Sequence, residues 1–173
     1  MEFEQQPQRI LLPAKVSFIV LTISLALLFN FLPWRNTTGV PDLTAAVLAF
    51  WCIHQPRRVG IGIAWTLGLL LDVGNDALIG QHALGYSVLA FLALAVHRRI
   101  QWFPPWQQAL HLLLLLLLTQ LLTLAIRIVA GGSFPGWTYF AGSFICAALW
   151  PVLSFLLLLP QRQAEMKDDN RPI

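Results

Sequence analysis

The chain has 173 residues, of which 57% are hydrophobic and only 11% are charged, and its mean hydropathy is +0.68. Soluble domains carry about a quarter charged residues, so this chain lacks the charge needed to cover a water-facing surface. The composition therefore excludes an ordinary soluble protein and predicts an integral membrane protein in a single domain, 1–173. The formal net charge of +3 is small, and we expect no nucleic-acid partner.

Six apolar segments follow one another and predict an all-α protein with six transmembrane helices. The segments are 15–32, 41–54, 59–72, 82–97, 106–129 and 137–159, and a polar cytoplasmic tail is expected at 160–173. A hydrocarbon core of about 30 Å needs about 20 helical residues. The first, fifth and sixth segments meet that length, whereas the second, third and fourth are short. Because irregular backbone at membrane depth needs protein or water around it, the short helices predict a hollow near the 73–81 connection.

Lysine and arginine residues predict the orientation of the chain in the membrane. Six spans with a cytoplasmic N-terminus place most of the basic residues on the cytoplasmic side: Arg9, Lys15, Arg57, Arg58, Arg98, Arg99, Arg162, Lys167 and Arg171. The outer side receives Arg35 and Arg127. This asymmetry follows the positive-inside rule and predicts that both termini are cytoplasmic.

The third segment carries small residues at helical spacing. Gly60, Ala64, Gly68 and Asp72 follow one another at intervals of four, so a helix places them on one face. Small residues on one face form a groove that lets a second helix approach closely. We predict that this face packs against a helix of this chain or of a partner, and that Asp72 lies at the end of the groove.

Asp72 has three possible states, because an isolated charge in apolar surroundings is costly. The carboxyl group can be protonated, can accept backbone N–H groups from the turn that contains Gly80, or can pair with a cation. Asp76 and Arg127 are possible polar partners near that turn, although Arg127 can also extend outward to the interface. A cap of the turn is favoured over ligand or proton handling, and a partner-facing role remains open.

Three further features have structural interpretations. Asp42 follows Pro41 at the start of the second segment and predicts an N-terminal helix cap. Pro151 lies inside the sixth segment and predicts a kink. Trp65 and Trp150 lie near mid-span and are expected to pack between helices.

The residues with reactive side chains form no catalytic or metal-binding pattern. The four histidines are His54, His82, His97 and His111. They lie in different elements without the spacing of a metal site, and no nucleophile motif or phosphate-binding loop is present. An intramembrane aspartyl protease needs a second intramembrane aspartate, for which Asp42 is poorly placed. We therefore expect no enzyme activity, no cofactor and no metal.

Five short motifs in register resemble one family. They are QPRRVG at 55–60, GLLLD at 68–72, Gly80, WQQAL at 106–110 and LWP at 149–151. Their order and spacing, from Leu32 to Pro160, resemble the rod shape-determining MreD family in its Gram-negative branch.

The resemblance implies a non-enzymatic component of the cell-elongation complex in the bacterial inner membrane, required for rod shape and for regulating lateral peptidoglycan synthesis. It implies membrane lipids and MreC as direct partners, with MreB, RodA and a class B transpeptidase in the wider complex. It also implies a fold similar to the substrate-binding subunits of energy-coupling-factor transporters. The alternative function is a small-solute-binding transporter subunit that uses an outer funnel near Asp72, with Asn75, Gln81 and His82 as further polar groups.

Overall fold

The computed structural model describes residues 14–32, 39–75 and 78–162, and it contains six α-helices and no strand in those ranges. The helices are α1 (Val16–Asn30), α2 (Leu43–His54), α3 (Ile61–Gly74), α4 (Gln81–Ile100), α5 (Pro105–Val129) and α6 (Ala141–Arg162), with a short 3-10 helix at Trp137–Phe140 before α6. The predicted all-α class with six helices is therefore confirmed.

The lengths of two helices differ from the prediction. The described segments long and apolar enough to span a membrane are α4, α5 and Trp137–Gln161, whereas α1, α2 and α3 are shorter apolar helices. The first helix has only 15 residues, although its apolar segment was expected to be long enough. The fourth has 20 residues and is not short, because it continues through Arg98 and Arg99 to Ile100. Arginine is a good helix former, and its charge is favourable at a helix C-terminus.

Helix α2 forms the centre of the molecule. Its residues 44–53 are all buried, and it contacts α1, α4, α5 and α6. Trp51 is fully buried, and its Nε1 donates a hydrogen bond of 3.0 Å to Thr22 Oγ1 of α1. A helix of 12 residues extends only about 18 Å at 1.5 Å per residue. This length is tolerated because protein, rather than lipid, surrounds the helix.

Helix α3 lies at the side of the bundle. It packs mainly against α4 and touches α1 near its C-terminal end. Its other face is exposed, and the Trp65 side chain is 50% exposed, so the prediction that Trp65 packs between helices is wrong. Trp150 of α6, in contrast, is fully buried as expected.

Helix α6 continues through Pro151, which is exposed. Proline lacks the N–H group that would bond the carbonyl of Ala147. The kink expected there stays a prediction.

The two ends of the bundle differ in composition. One end carries Arg57, Arg58, Arg98 and Arg99 together with the start of α1, and we call it the basic end. Arg58 fixes this end by donating from Nη1 to the carbonyl of Ala14 at 2.6 Å. The other end, called the polar end, contains the C-termini of α1, α3 and α5 and the N-termini of α2, α4 and α6.

Candidate functional site

The closest helix contact in the site joins α3 to the start of α4. A Cβ atom built on Gly68 would lie 2.4 Å from Ala83 Cα and 2.5 Å from Ala83 N, so only glycine fits there. Ala64, one turn earlier, is fully buried. Gly60 does not belong to this contact, because it precedes the first helical residue and a Cβ there would meet nothing within 4 Å. Within the described chain the predicted groove is therefore confined to Ala64 and Gly68.

Asp72 ends this face of α3 and is completely buried. Its Oδ2 accepts the backbone N–H groups of Gly80 at 2.9 Å and Ala83 at 3.2 Å. Its Oδ1 accepts the backbone N–H of His82 at 2.9 Å and lies 2.8 Å from His82 Nδ1. Gly80 has φ +99°, a left-handed conformation that favours glycine. A carboxylate from one helix thus caps the first turn of the next.

The cap satisfies groups that a helix cannot satisfy by itself. The first N–H groups of α4 have no partner within the helix, and the positive end of its dipole favours a negative charge. Of the three states expected for Asp72, this geometry corresponds to acceptance of backbone N–H groups, with His82 as an additional partner. Among the described residues Arg127 does not contact Asp72. Asp76 lies outside the described residues.

The structure contains a cavity near the 73–81 connection, where a hollow was expected. It has a volume of about 310 Å³ and opens at the polar end. Its polar lining includes Asp42, His82, Tyr86, Gln120, Arg127 and Tyr139. Of the polar groups expected in a funnel here, Asn75 and His82 line this cavity and Gln81 lines an adjacent one, whereas Asp72 does not, because the α4 cap buries its side chain. The carboxylate in the cavity wall belongs to Asp42.

Asp42 joins three helices at the cavity wall. It caps α2 as predicted, because its Oδ1 accepts the Ala45 N–H at 3.0 Å. Oδ1 also accepts from Asn30 Nδ2 of α1 at 2.7 Å. The Tyr86 hydroxyl of α4 lies 2.8 Å from Oδ1 and 2.7 Å from Oδ2. The contact between Asp42 and Tyr86 was not predicted from the sequence, although a tyrosine in an apolar helix is a signal for it, because its hydroxyl needs a polar partner.

We expect Tyr86→Phe to lower the free energy of unfolding by about 1.5–3 kcal/mol, because it removes a hydrogen bond to a charged group at a buried position. The control is Tyr139→Phe, which removes a neutral contact of 3.0 Å with the Thr123 hydroxyl and should cost about 1 kcal/mol. Unfolding of the two variants in detergent measures the difference. Equal losses would show that the contact between Tyr86 and Asp42 contributes no more than the neutral pair.

The site as a whole stabilises helix junctions. Three backbone N–H groups donate to the oxygens of Asp72, and the ring Nδ1 of His82 is a fourth partner. Among residues 14–32, 39–75 and 78–162, no three His, Cys, Asp or Glu side chains lie close enough to hold a metal ion.

Comparison with known proteins identifies the family. The family model described as rod shape-determining protein MreD matches residues 8–159. The rod shape-determining protein MreD of Haemophilus influenzae is 26% identical over 153 residues, which cover 87% of this chain and 92% of that protein. No solved structure matches the chain. Because the family model spans most of the sequence and reaches all six helices, the chain belongs to the MreD family of rod shape-determining membrane proteins.

Proposed function

We propose that this chain is a non-enzymatic subunit of the cell-elongation complex in the inner membrane, and that it acts by docking the transmembrane helices of its partners. MreC is the proposed direct partner, and MreB, RodA and a class B transpeptidase belong to the wider complex. Membership of the MreD family supports the role in rod shape. The docking mechanism rests on one structural observation, an apolar groove between α1 and α3.

The groove lies on the side of α3 that faces away from α4. It has a volume of about 540 Å³ and an almost entirely apolar wall, formed by Phe31, Thr66, Leu69, Leu70, Val73 and Gly74. Helices associate in membranes through close packing and small residues. Thr66 is exposed and can serve in this way, whereas Gly74 already packs against the ring of Phe31. A single transmembrane helix from MreC would fill this groove and cover the exposed face of α3.

The alternative function is a small-solute-binding transporter subunit with an outer funnel near Asp72; Asn75, Gln81 and His82 line cavities at that end of the bundle, but Asp72 does not. Asp72 is fully buried and bound by the start of α4, so a solute cannot reach it without opening the α3–α4 junction.

The basic end also defines the proposed orientation of the chain in the membrane. The basic end faces the cytoplasm, together with both termini, because basic residues are retained on that side of the membrane. Arg127 at the polar end then faces outward. Six helices with short members near a cavity at one end also agree with a fold similar to the substrate-binding subunits of energy-coupling-factor transporters.

Leu70→Trp tests the docking groove, and Leu121→Trp on α5 is its matched control. The two leucines are 53% and 51% exposed, so both substitutions add the same bulk to a lipid-facing position. We expect Leu70→Trp to lower recovery of co-expressed MreC about tenfold, equivalent to a loss of about 1.4 kcal/mol of binding. Leu121→Trp should leave recovery unchanged. Equal recovery with both variants would exclude this groove as the MreC site.

The cellular role is tested by depletion of the protein in the source organism. We expect rod-shaped cells to become spherical and the intact gene to restore their shape. Rods that persist after complete depletion would contradict a role in elongation.

A further inference from the structure

The polar cavity adjoins a much smaller space inside the bundle. This inner chamber has a volume of about 20 Å³, and its polar lining consists of Asp42, Thr119, Gln120, Ser143 and Cys146. The first three residues also line the cavity of about 310 Å³. The larger cavity and the inner chamber therefore meet at Asp42, Thr119 and Gln120.

Gln120 presents an acceptor that no described residue satisfies. Its Nε2 donates to the carbonyl oxygen of Tyr139 at 3.4 Å, and only the NH₂ group of the amide can make that contact. In this orientation of the amide, Oε1 is buried without a hydrogen-bond partner among the described residues. Buried acceptors of this kind are uncommon because leaving one unpaired costs free energy.

The neighbouring groups are also acceptors. Among the described residues, Asp42 Oδ2 accepts from the Tyr86 hydroxyl, whereas Oδ1 accepts from Asn30 and Ala45 as well. Thr119 uses its hydroxyl hydrogen for the Leu115 carbonyl at 2.9 Å, which leaves its oxygen as an acceptor. A primary ammonium group supplies three donors and a positive charge, which matches this set better than the two donors of a water molecule.

The lining of the larger cavity also contains a cation. Arg127 is exposed, lines both the cavity of about 310 Å³ and an adjacent one of about 570 Å³, and forms no ion pair with a described carboxylate. A guanidinium group binds phosphate or carboxylate through two parallel hydrogen bonds. The cavity therefore offers a negative charge next to the inner chamber, at Asp42, and a positive charge at the exposed Arg127.

We propose that this cavity binds a small zwitterion, with its primary ammonium group at Asp42, Gln120 and Thr119 and its anionic group at Arg127. Two sources share this chemistry. One is a lipid, through the headgroup of phosphatidylethanolamine; the other is a free small molecule, such as an amino acid or phosphoethanolamine. The site is separate from the α1–α3 groove, so it does not depend on docking of MreC.

The test uses the purified full chain in detergent with short-chain phosphatidylethanolamine, phosphatidylcholine and phosphatidylglycerol as probes, and with phosphoethanolamine and alanine as soluble probes. Bound mass by native mass spectrometry and the shift of the unfolding temperature report binding. We expect phosphatidylethanolamine or a soluble zwitterion to bind, and phosphatidylcholine to bind at least about tenfold more weakly because its quaternary ammonium group has no N–H donor. Binding of the soluble probes identifies a free metabolite as the source, and binding of the lipid alone identifies the headgroup.

Two variants and one control locate the site. Asp42→Asn keeps an oxygen to cap α2 but loses the charge, and Gln120→Leu removes the unpaired acceptor. Each should weaken zwitterion binding about tenfold, the loss for one strong hydrogen bond. Gln161→Leu is the control, because Gln161 near the basic end also has a buried side-chain atom without a described partner. This variant should bind the zwitterion as the unchanged protein does. Three results would overturn the proposal: equal binding of phosphatidylcholine, no binding of any zwitterionic probe, or equal losses in all three variants.

Discussion

Asp72→Ala is expected to destabilise the protein by about 3–6 kcal/mol, because it leaves the N–H groups of Gly80, His82 and Ala83, which are buried or partly buried, without an acceptor. Native proteins are stable by only about 5–15 kcal/mol, so the variant should be recovered in low yield or as an aggregate. The measurement is the folded fraction after membrane extraction, by size exclusion and by thermal unfolding.

His82→Ala is the control for that variant. It removes the ring contact of 2.8 Å with Asp72 but keeps all three backbone N–H donors and the carboxylate that accepts them. We expect a loss of about 1–2 kcal/mol, clearly smaller than that of Asp72→Ala. If the two variants were equally stable, the backbone cap would not be the main role of Asp72.

Gly68→Leu is expected to have the second large effect. The added Cβ would lie 2.4 Å from Ala83 Cα, and backbone atoms cannot move aside as the end of a flexible side chain can. Overpacking of a buried contact costs about 1–3 kcal/mol and more where backbones must separate, so we expect about 3 kcal/mol or more. The separation would also weaken the Asp72 cap, because Ala83 belongs to both contacts.

Gly62→Leu is the matched control on the same helix. A Cβ at Gly62 would meet nothing within 4 Å, and leucine is the better helix former, so its stability should stay equal or rise by up to about 1 kcal/mol. Thermal unfolding of both variants and their ability to restore rod shape test the difference. Equal behaviour of Gly68→Leu and Gly62→Leu would show that α3 and α4 do not approach closely.

The number of helices could be predicted from the sequence because each apolar run has a polar or proline-rich boundary. The lengths were harder to predict, since an apolar run does not mark the end of a helix. Arg98 and Arg99 interrupt the hydrophobic pattern of α4 but are favourable within its last turn. The prediction for Trp65 was wrong because, in a membrane protein, a large aromatic side chain can face either the lipid or the protein core.

The candidate site was only partly predictable. Helical spacing placed Ala64, Gly68 and Asp72 on one face, and Gly80 indicated a tight turn, because both signals are local. The partner of Asp72 is the start of another helix, which local spacing does not specify. The contact between Asp42 and Tyr86 joins residues 44 positions apart, so it depends on how α2 and α4 pack.

The most direct measurement is a density map at side-chain resolution of the chain in a lipid nanodisc with co-expressed MreC. We predict that the Asp72 carboxylate points into the bundle within hydrogen-bond distance of the Gly80 and His82 N–H groups, and that a partner helix lies along Leu70. An Asp72 carboxylate that faces the acyl chains would contradict the cap on α4. A groove beside α3 that contacts only lipid would contradict docking of MreC through α3.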